Sequence, residues 1–333
     1  MAVKLELSIN PLPEAGIPSL LALERWMMQK PNSVLPPEMS NLEYEVWREF
    51  IQQRCGMYFS ENRLYSLRQR LWERMRLRKT YNYSEYYHFV AYNSEGKEEW
   101  EELLETLLNQ ETGFFRHPPS FEALTGVALP ELMRAKQKAG VKTITMWSAG
   151  CATGQEPYSL AMAFLETTAP KSFQQRGNAI PFSSEQSLGR WQVKVSASDI
   201  SQRALERARR GRYKPHEVRF MPEHYREKYM FTINENGNTI RQVNDQARDL
   251  VQFGQINLHD PATYWISAQD VIFCQNVLIY FNPEKRLEVV SRLCQRLNPG
   301  GYLFLAPAEV VGLKLPGIQS VRLTDVLVYQ RVH

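Results

Sequence analysis

Trp147-Ser148-Ala149-Gly150-Cys151-Ala152-Thr153-Gly154-Gln155-Glu156-Pro157-Tyr158 decides how this chain is read. A β-rich run from Lys142 to Ala149 enters a turn of small residues and leaves it as a helix. Such a turn lets a ligand approach backbone amides at a helix N-terminus. The glycines do not follow the dinucleotide spacing and no Lys-Ser/Thr pair follows them, so phosphate recognition is not supported.

Working outward, further short runs recur at Val193–Ser198, Val251–Ile256, Asp270–Cys274 and Tyr302–Leu305, with helical stretches between them. The alternation predicts a parallel α/β sheet with helices on both faces. Three of these runs end in polar residues: Asp199, Asn257 with Leu258, and Asn276 with Val277 before Tyr280. Asp199 could accept hydrogen bonds from both hydroxyls of a ribose, or it could simply cap the helix predicted over Ser201–Arg210. Ligands of open α/β sheets lie at the carboxyl ends of the strands, so these loops and the Gly150 turn converge on one crevice. Pro283 opens a helix to about Leu297, which Asn298-Pro299-Gly300-Gly301 ends in a turn.

Before this region the spacing is helical. Leu42, Val46 and Phe50 form one stripe, Leu64, Leu67, Leu71 and Met75 a second, and Trp100, Leu103, Leu104, Leu107 and Leu108 a third. Gly56 stops the first helix and Ser84 is placed to cap a short one. Six of the nineteen prolines fall in residues 1–40, which reads as an arm with one short amphipathic helix between Ser19 and Lys30.

Composition excludes several classes. Of 333 residues, 43% are hydrophobic and 23% charged, enough for packed cores and unlike a disordered chain. Four cysteines without C-x-x-C spacing argue against a disulfide scaffold and for a reducing, cytoplasmic setting. The six histidines form no metal-ligand pattern, so no metal is expected. No apolar run reaches the roughly 18 residues of a membrane span, so neither insertion nor export is expected. The net charge of +4 is too small to argue for nucleic acid. Basic residues instead cluster at Arg63, Arg68, Arg70, Arg74, Arg76, Arg78 and Lys79, and again from Arg203 to Lys214.

Asn109-Gln110-Glu111-Thr112-Gly113-Phe114-Phe115-Arg116, Trp147 to Tyr158, Ala197 to Ile200, Asn257-Leu258 and Asn276 to Phe281 follow in order. In that arrangement, over about residues 42–330, the chain resembles the CheR family, S-adenosylmethionine-dependent methyltransferases that esterify glutamate side chains of chemoreceptors. The resemblance implies a Rossmann-like class I methyltransferase domain with a small inserted β subdomain, preceded by an all-helical domain. It divides the chain into an arm at 1–40, a helical domain at 41–109, a linker at 110–126 and a methyltransferase domain at 127–333. The insertion falls at about 213–252, where Met230–Ile233 and Thr239–Val243 flank a hairpin turn, and in the family it can hold a receptor tether.

Carried over by position, the resemblance implies cofactor contacts from Gln110, Thr112, Arg116, Gly150, Glu156, Asp199, Asn257, Leu258, Asn276 and Val277. Thr112, Arg116 and Glu156 would face the methionine end, Asp199 the ribose, Asn257 and Leu258 the adenine, and Asn276 and Val277 the reacting methyl. Arg116 and Tyr280 are the catalytic candidates, the first because a guanidinium suits a carboxylate. S-adenosylmethionine and its product S-adenosylhomocysteine are the implied cofactor pair, and cytoplasmic helices of methyl-accepting receptors the implied partner, met by a monomer.

Three positions depart from the family pattern: Gln110, Gln275 in place of an arginine, and Leu305-Ala306-Pro307-Ala308-Glu309. They motivate a competing reading, a catalytically weak regulatory module that senses the cofactor or its product. The basic helices motivate another, a nucleic-acid methyltransferase. A glutamate nucleophile is already ionised near neutral pH and needs no general base, which agrees with the lack of a His or Lys dyad beside these motifs.

Overall fold

The computed structural model describes residues 35–169, 191–307, 309–310 and 312–332. The helix expected between Ser19 and Lys30 lies outside them.

Four helices open the described chain: α1 (Asn41–Cys55), α2 (Leu64–Arg78), α3 (Tyr83–Tyr92) and α4 (Gly96–Leu107). Ser40 and Glu43 form a reciprocal capping box on α1, and Gly56 ends it in the left-handed conformation. The buried face of α1 is Tyr44, Trp47, Ile51 and Cys55, whereas Leu42 and Val46 face solvent. The aromatic stripe prevails over the aliphatic one because it offers more area and because the Trp47 indole donates to the Tyr83 carbonyl. Asn82, not Ser84, caps α3, its side chain accepting the Glu85 amide. These helices share one core, in which Leu67, Leu71, Met75, Leu103 and Leu107 are fully enclosed.

Beyond them run α5 (Pro118–Ala123), which a five-residue π turn joins to α6 (Leu129–Lys138), and then strand β1 (Thr143–Ala149). The sequence continues through α7 (Gln155–Thr168), β2 (Gln192–Asp199), α8 (Gln202–Arg210) and β3 (Arg212–Tyr213). Helix α9 (Glu223–Tyr229), β4 (Met230–Glu235), β5 (Asn238–Val243), α10 (Asp245–Arg248), β6 (Val251–Gln255) and β7 (Gln269–Cys274) follow. The last elements are α11 (Pro283–Gln295), β8 (Leu297–Leu305), β9 (Ile318–Leu323) and β10 (Val326–Arg331).

Seven strands form one sheet in the order β6-β2-β1-β7-β8-β10-β9. Strand β7 is buried along its whole length, as its unbroken apolar run requires at the centre of a parallel sheet. The sheet is mixed rather than all parallel: β10 pairs antiparallel with both β8 and β9. Residues Asn298–Gly301 make no turn but belong to β8, opposite a register shift between Gln269 and Val271. An irregularity of this kind tolerates Pro299 inside a strand. A second sheet, β3-β5-β4, includes the expected hairpin, whose Asn236-Gly237 turn has both φ angles positive.

From β1 the chain winds outward to β2 and β6, then returns to the other side of β1 at β7. The direction reverses between β1 and β7, and the crevice above their carboxyl ends is where such a sheet receives its ligand.

Candidate functional site

At that crevice lies a cavity of about 1030 Å³, counting its open mouth. Its walls include Gln110, Thr112, Arg116, Gly150, Glu156, Asp199, Asn257, Leu258, Asn276, Val277 and Tyr280, so every residue singled out in the sequence comes together here. The helical domain adds Cys55, Met57 and Leu108 as a roof, and Phe121, Ile200 and Ile256 add apolar surface; none of these was anticipated. Roof residues carry no local motif, and only the packing of α1 and α4 brings them in.

The turn after β1 differs from expectation in one respect. The amides of Gly150 and Cys151 both donate to the Ser198 carbonyl, and that of Ala152 donates to Asp199 Oδ2 at 2.8 Å. These amides therefore bind β2 instead of facing a ligand. Gly150 is required for close approach: its φ is +86°, and a Cβ there would lie 2.3 Å from Val277 Cγ2. The turn after β7 consequently rests directly on the turn after β1.

Asp199 is fixed at both oxygens, since Oδ1 also accepts the Ser201 amide. Ser201 itself caps α8. Burial raises the Asp199 pKa, with the backbone amides opposing the shift. Asn257 is similarly engaged: Nδ2 donates to the Arg54 carbonyl at 2.8 Å, and Oδ1 accepts the His259 amide. Its side chain ties the helical domain to the sheet domain, and its backbone amide and carbonyl are both engaged by Thr263, so the Leu258 side chain is the surface it leaves to a ligand. Gln110 donates to Glu105, which also receives the Ser201 hydroxyl, a second tie between the domains. Gln275 spends its amide on Ser120 Oγ and the Leu305 carbonyl, so this departure has a structural role.

Glu156 faces the cavity with one oxygen engaged. Oε1 accepts the Ser148 hydroxyl at 2.6 Å, while no donor among the described residues reaches Oε2. Burial pushes its carboxyl up to about 7, Ser148 opposes the shift, buried Glu309 adds to it and Arg116 lowers it. A partly buried carboxyl with one free oxygen is a ready partner for a cationic ligand. Thr112 and Asn276 also line the cavity and make no side-chain hydrogen bond among the described residues. Arg116 stands exposed at the mouth, with Nη1 on the Glu111 carbonyl.

Among the described residues that line the cavity there is no histidine or lysine. No group of three or more His, Cys, Asp or Glu among the described residues could hold a metal ion. The four cysteines are buried and unpaired. No helix among the described residues is long and apolar enough to cross a membrane.

The strand order, the inserted sheet and the cavity at the β1–β7 reversal define a class I methyltransferase. Residues 110–325 match the CheR methyltransferase SAM-binding domain and residues 42–108 the CheR methyltransferase all-alpha domain, and the chain belongs to this family of S-adenosylmethionine-dependent methyltransferases. It is 31% identical over 272 residues to chemotaxis protein methyltransferase 2 of Vibrio cholerae, covering 81% of this chain and 86% of that one. It is 30% identical over 293 residues to the chemotaxis protein methyltransferase of Vibrio parahaemolyticus, covering 88% and 98%. Chemotaxis protein methyltransferase 1 of Pseudomonas aeruginosa is 28% identical over 292 residues, with 87% and 98% covered.

Proposed function

We propose that this chain esterifies glutamate side chains on the cytoplasmic helices of a chemotaxis receptor, acting as a monomer. One observation carries the choice of acceptor: among the described residues the cavity wall offers a single cationic side chain, Arg116, exposed at the mouth, and neither histidine nor lysine. A carboxylate acceptor is ionised at neutral pH and needs no base, whereas an amine would first have to lose a proton. The relatives named above are chemotaxis methyltransferases, which supports a receptor as substrate.

When bound, S-adenosylmethionine supplies an electrophilic methyl on a cationic sulfur. The free oxygen of Glu156 and the hydroxyl of Thr112 would hold its charged methionine end, and Asp199 its ribose. Val277 and Asn276 would form the floor beside the methyl. Arg116 would draw the incoming carboxylate to the mouth, and the apolar roof excludes water that would otherwise solvate it. The protein's contribution is alignment, because the bond to oxygen forms as the bond to sulfur breaks and the electron pair stays with sulfur.

The basic helix supports docking through fewer residues than the sequence suggests. Arg74 is held by Glu99 and Glu102, Arg78 by Glu95, and Arg70 reaches the Thr106 carbonyl. Arg63, Arg76 and Lys79 stay exposed and would meet an acidic receptor helix.

The test is incubation with radiolabelled S-adenosylmethionine and membranes bearing candidate receptors. Label released from the receptor by mild base is expected. Base-stable label, or none despite donor binding, would overturn the assignment. Replacing Arg63, Arg76 and Lys79 together by Glu should suppress labelling and leave S-adenosylhomocysteine affinity unchanged.

A further inference from the structure

The turn that follows β7 is clasped from two sides by groups outside the cavity wall. On one side, Glu309 is buried and accepts the Leu278 amide at Oε1 and the Ala306 amide at Oε2, both at 3.0 Å. The amides of Asn276 and Ile279 also direct their dipoles at this carboxylate. On the other side, the Arg286 guanidinium donates to the carbonyls of Leu278, Phe281 and Glu309. The acid thus gathers amides and the guanidinium gathers carbonyls of the same few residues.

That turn carries much of the site. Asn276 sits at φ +61°, in the left-handed region that few L-residues adopt, asparagine among them. Val277 rests on Gly150, the Tyr280 hydroxyl donates to the Asn109 carbonyl, and the Tyr280 carbonyl receives the Tyr58 amide. We infer that Glu309 is a positioning residue for methyl transfer, holding Asn276 and Val277 in the geometry that binds and aligns the donor. The inference rests on the proposed reading of this cavity as the donor site. The carboxylate does so as an acceptor only: each oxygen takes one amide, from Leu278 and from Ala306, and a group that also donates cannot satisfy both.

Glu309→Gln preserves shape and replaces one acceptor by a donor facing those amides. Calorimetry with S-adenosylhomocysteine should show affinity about tenfold weaker. Initial rates should show kcat lowered by about 100-fold as the floor shifts. Glu309→Asp, which keeps the charge on a shorter stem, should recover part of both. A folded Glu309→Gln protein with wild-type affinity and kcat, differing only in unfolding temperature, would overturn the inference. If Glu309→Gln does not fold, Glu309→Asp decides: a several-fold loss of affinity is expected, and an unchanged value overturns it. Product affinity is read without any acceptor, so a wild-type protein that binds S-adenosylhomocysteine but labels no receptor refutes the receptor assignment alone. One that fails to bind it refutes the donor site itself.

Discussion

The Tyr280 hydroxyl donates to the backbone carbonyl of Asn109 at 3.0 Å, joining the floor of the cavity to the linker at its mouth. Its proton is therefore committed within the protein, and Tyr280 shapes the pocket without being free to act on the acceptor. Tyr280→Phe should cost about 1 kcal/mol, roughly a fivefold loss of donor affinity measured by calorimetry. A fall in kcat beyond a hundredfold would instead place the hydroxyl at the reacting atoms. Tyr280→Ala should be far worse, because the ring packs against the core of the helical domain.

Glu156 links stability to binding. Its carboxyl, ordinarily near 4.5, stands at about 7 in the folded protein. The folded state holds this proton more tightly than the unfolded chain, so the ligand-free protein loses stability as pH rises from about 4.5 to 7. Glu156→Gln should remove that cost and stabilise the ligand-free protein at pH 8 by about 2 kcal/mol, visible as a higher unfolding midpoint. Donor affinity should move the opposite way. In the wild type it should strengthen as pH rises through 7 and the carboxylate forms, and in the variant that dependence should flatten. An unchanged pH profile in Glu156→Gln would remove this carboxyl from the donor's charged end.

Gly150 and Val277 should behave as a pair. Gly150→Ala introduces a Cβ 2.3 Å from Val277 Cγ2 at a φ of +86°, which should destabilise by about 3 kcal/mol. Val277→Ala in the same chain removes the struck methyl, so the double variant should be more stable than the sum of its parts predicts. Denaturant titration of the four proteins measures the coupling, and strict additivity would show that the two turns do not meet.

Asn257 is expected to control the roof. Asn257→Asp keeps an acceptor for the His259 amide but turns a carboxylate oxygen toward the Arg54 carbonyl, at a cost of about 2 kcal/mol. Hydrogen exchange should accelerate at Cys55–Tyr58 while β1 and β7 keep their protection. Uniform acceleration would indicate global destabilisation instead.

The sheet was legible where one residue pattern had one physical meaning. A short unbroken apolar run bounded by turns reads as an inner strand, and the polar ends of three strands converge with the Gly150 turn once those strands lie parallel. Pairing partners were less legible: β9 and β10 alternate weakly, and the placing of β10 between β8 and β9 follows from contacts that no local pattern encodes. Asn298-Pro299-Gly300-Gly301 reads as a turn by composition and becomes strand because Leu297 and Tyr302 pair with β7 on either side of it. In the site, the lining residues were legible and their commitments were not. Asn257 spends its amide on Arg54, far away in the chain, and Gln110 gives its amide to nearby Glu105, whose other oxygen takes the distant Ser201 hydroxyl. Glu309 drew notice only as part of an unusual segment, since the amides it gathers belong to a turn some thirty positions earlier.

Strand β10 touches β8 on one side and β9 on the other, so β8 and β9, successive in the chain, meet only through a strand made after both. The loop carrying Glu309 joins those two strands. Every described residue lining the cavity precedes Asn282, yet the clasp beneath its floor adjoins β10, whose Tyr329 hydroxyl donates to the Val310 carbonyl next to Glu309. Chains halted before Val326 would carry the whole lining without its keystone, so during synthesis competence should arrive late and all at once.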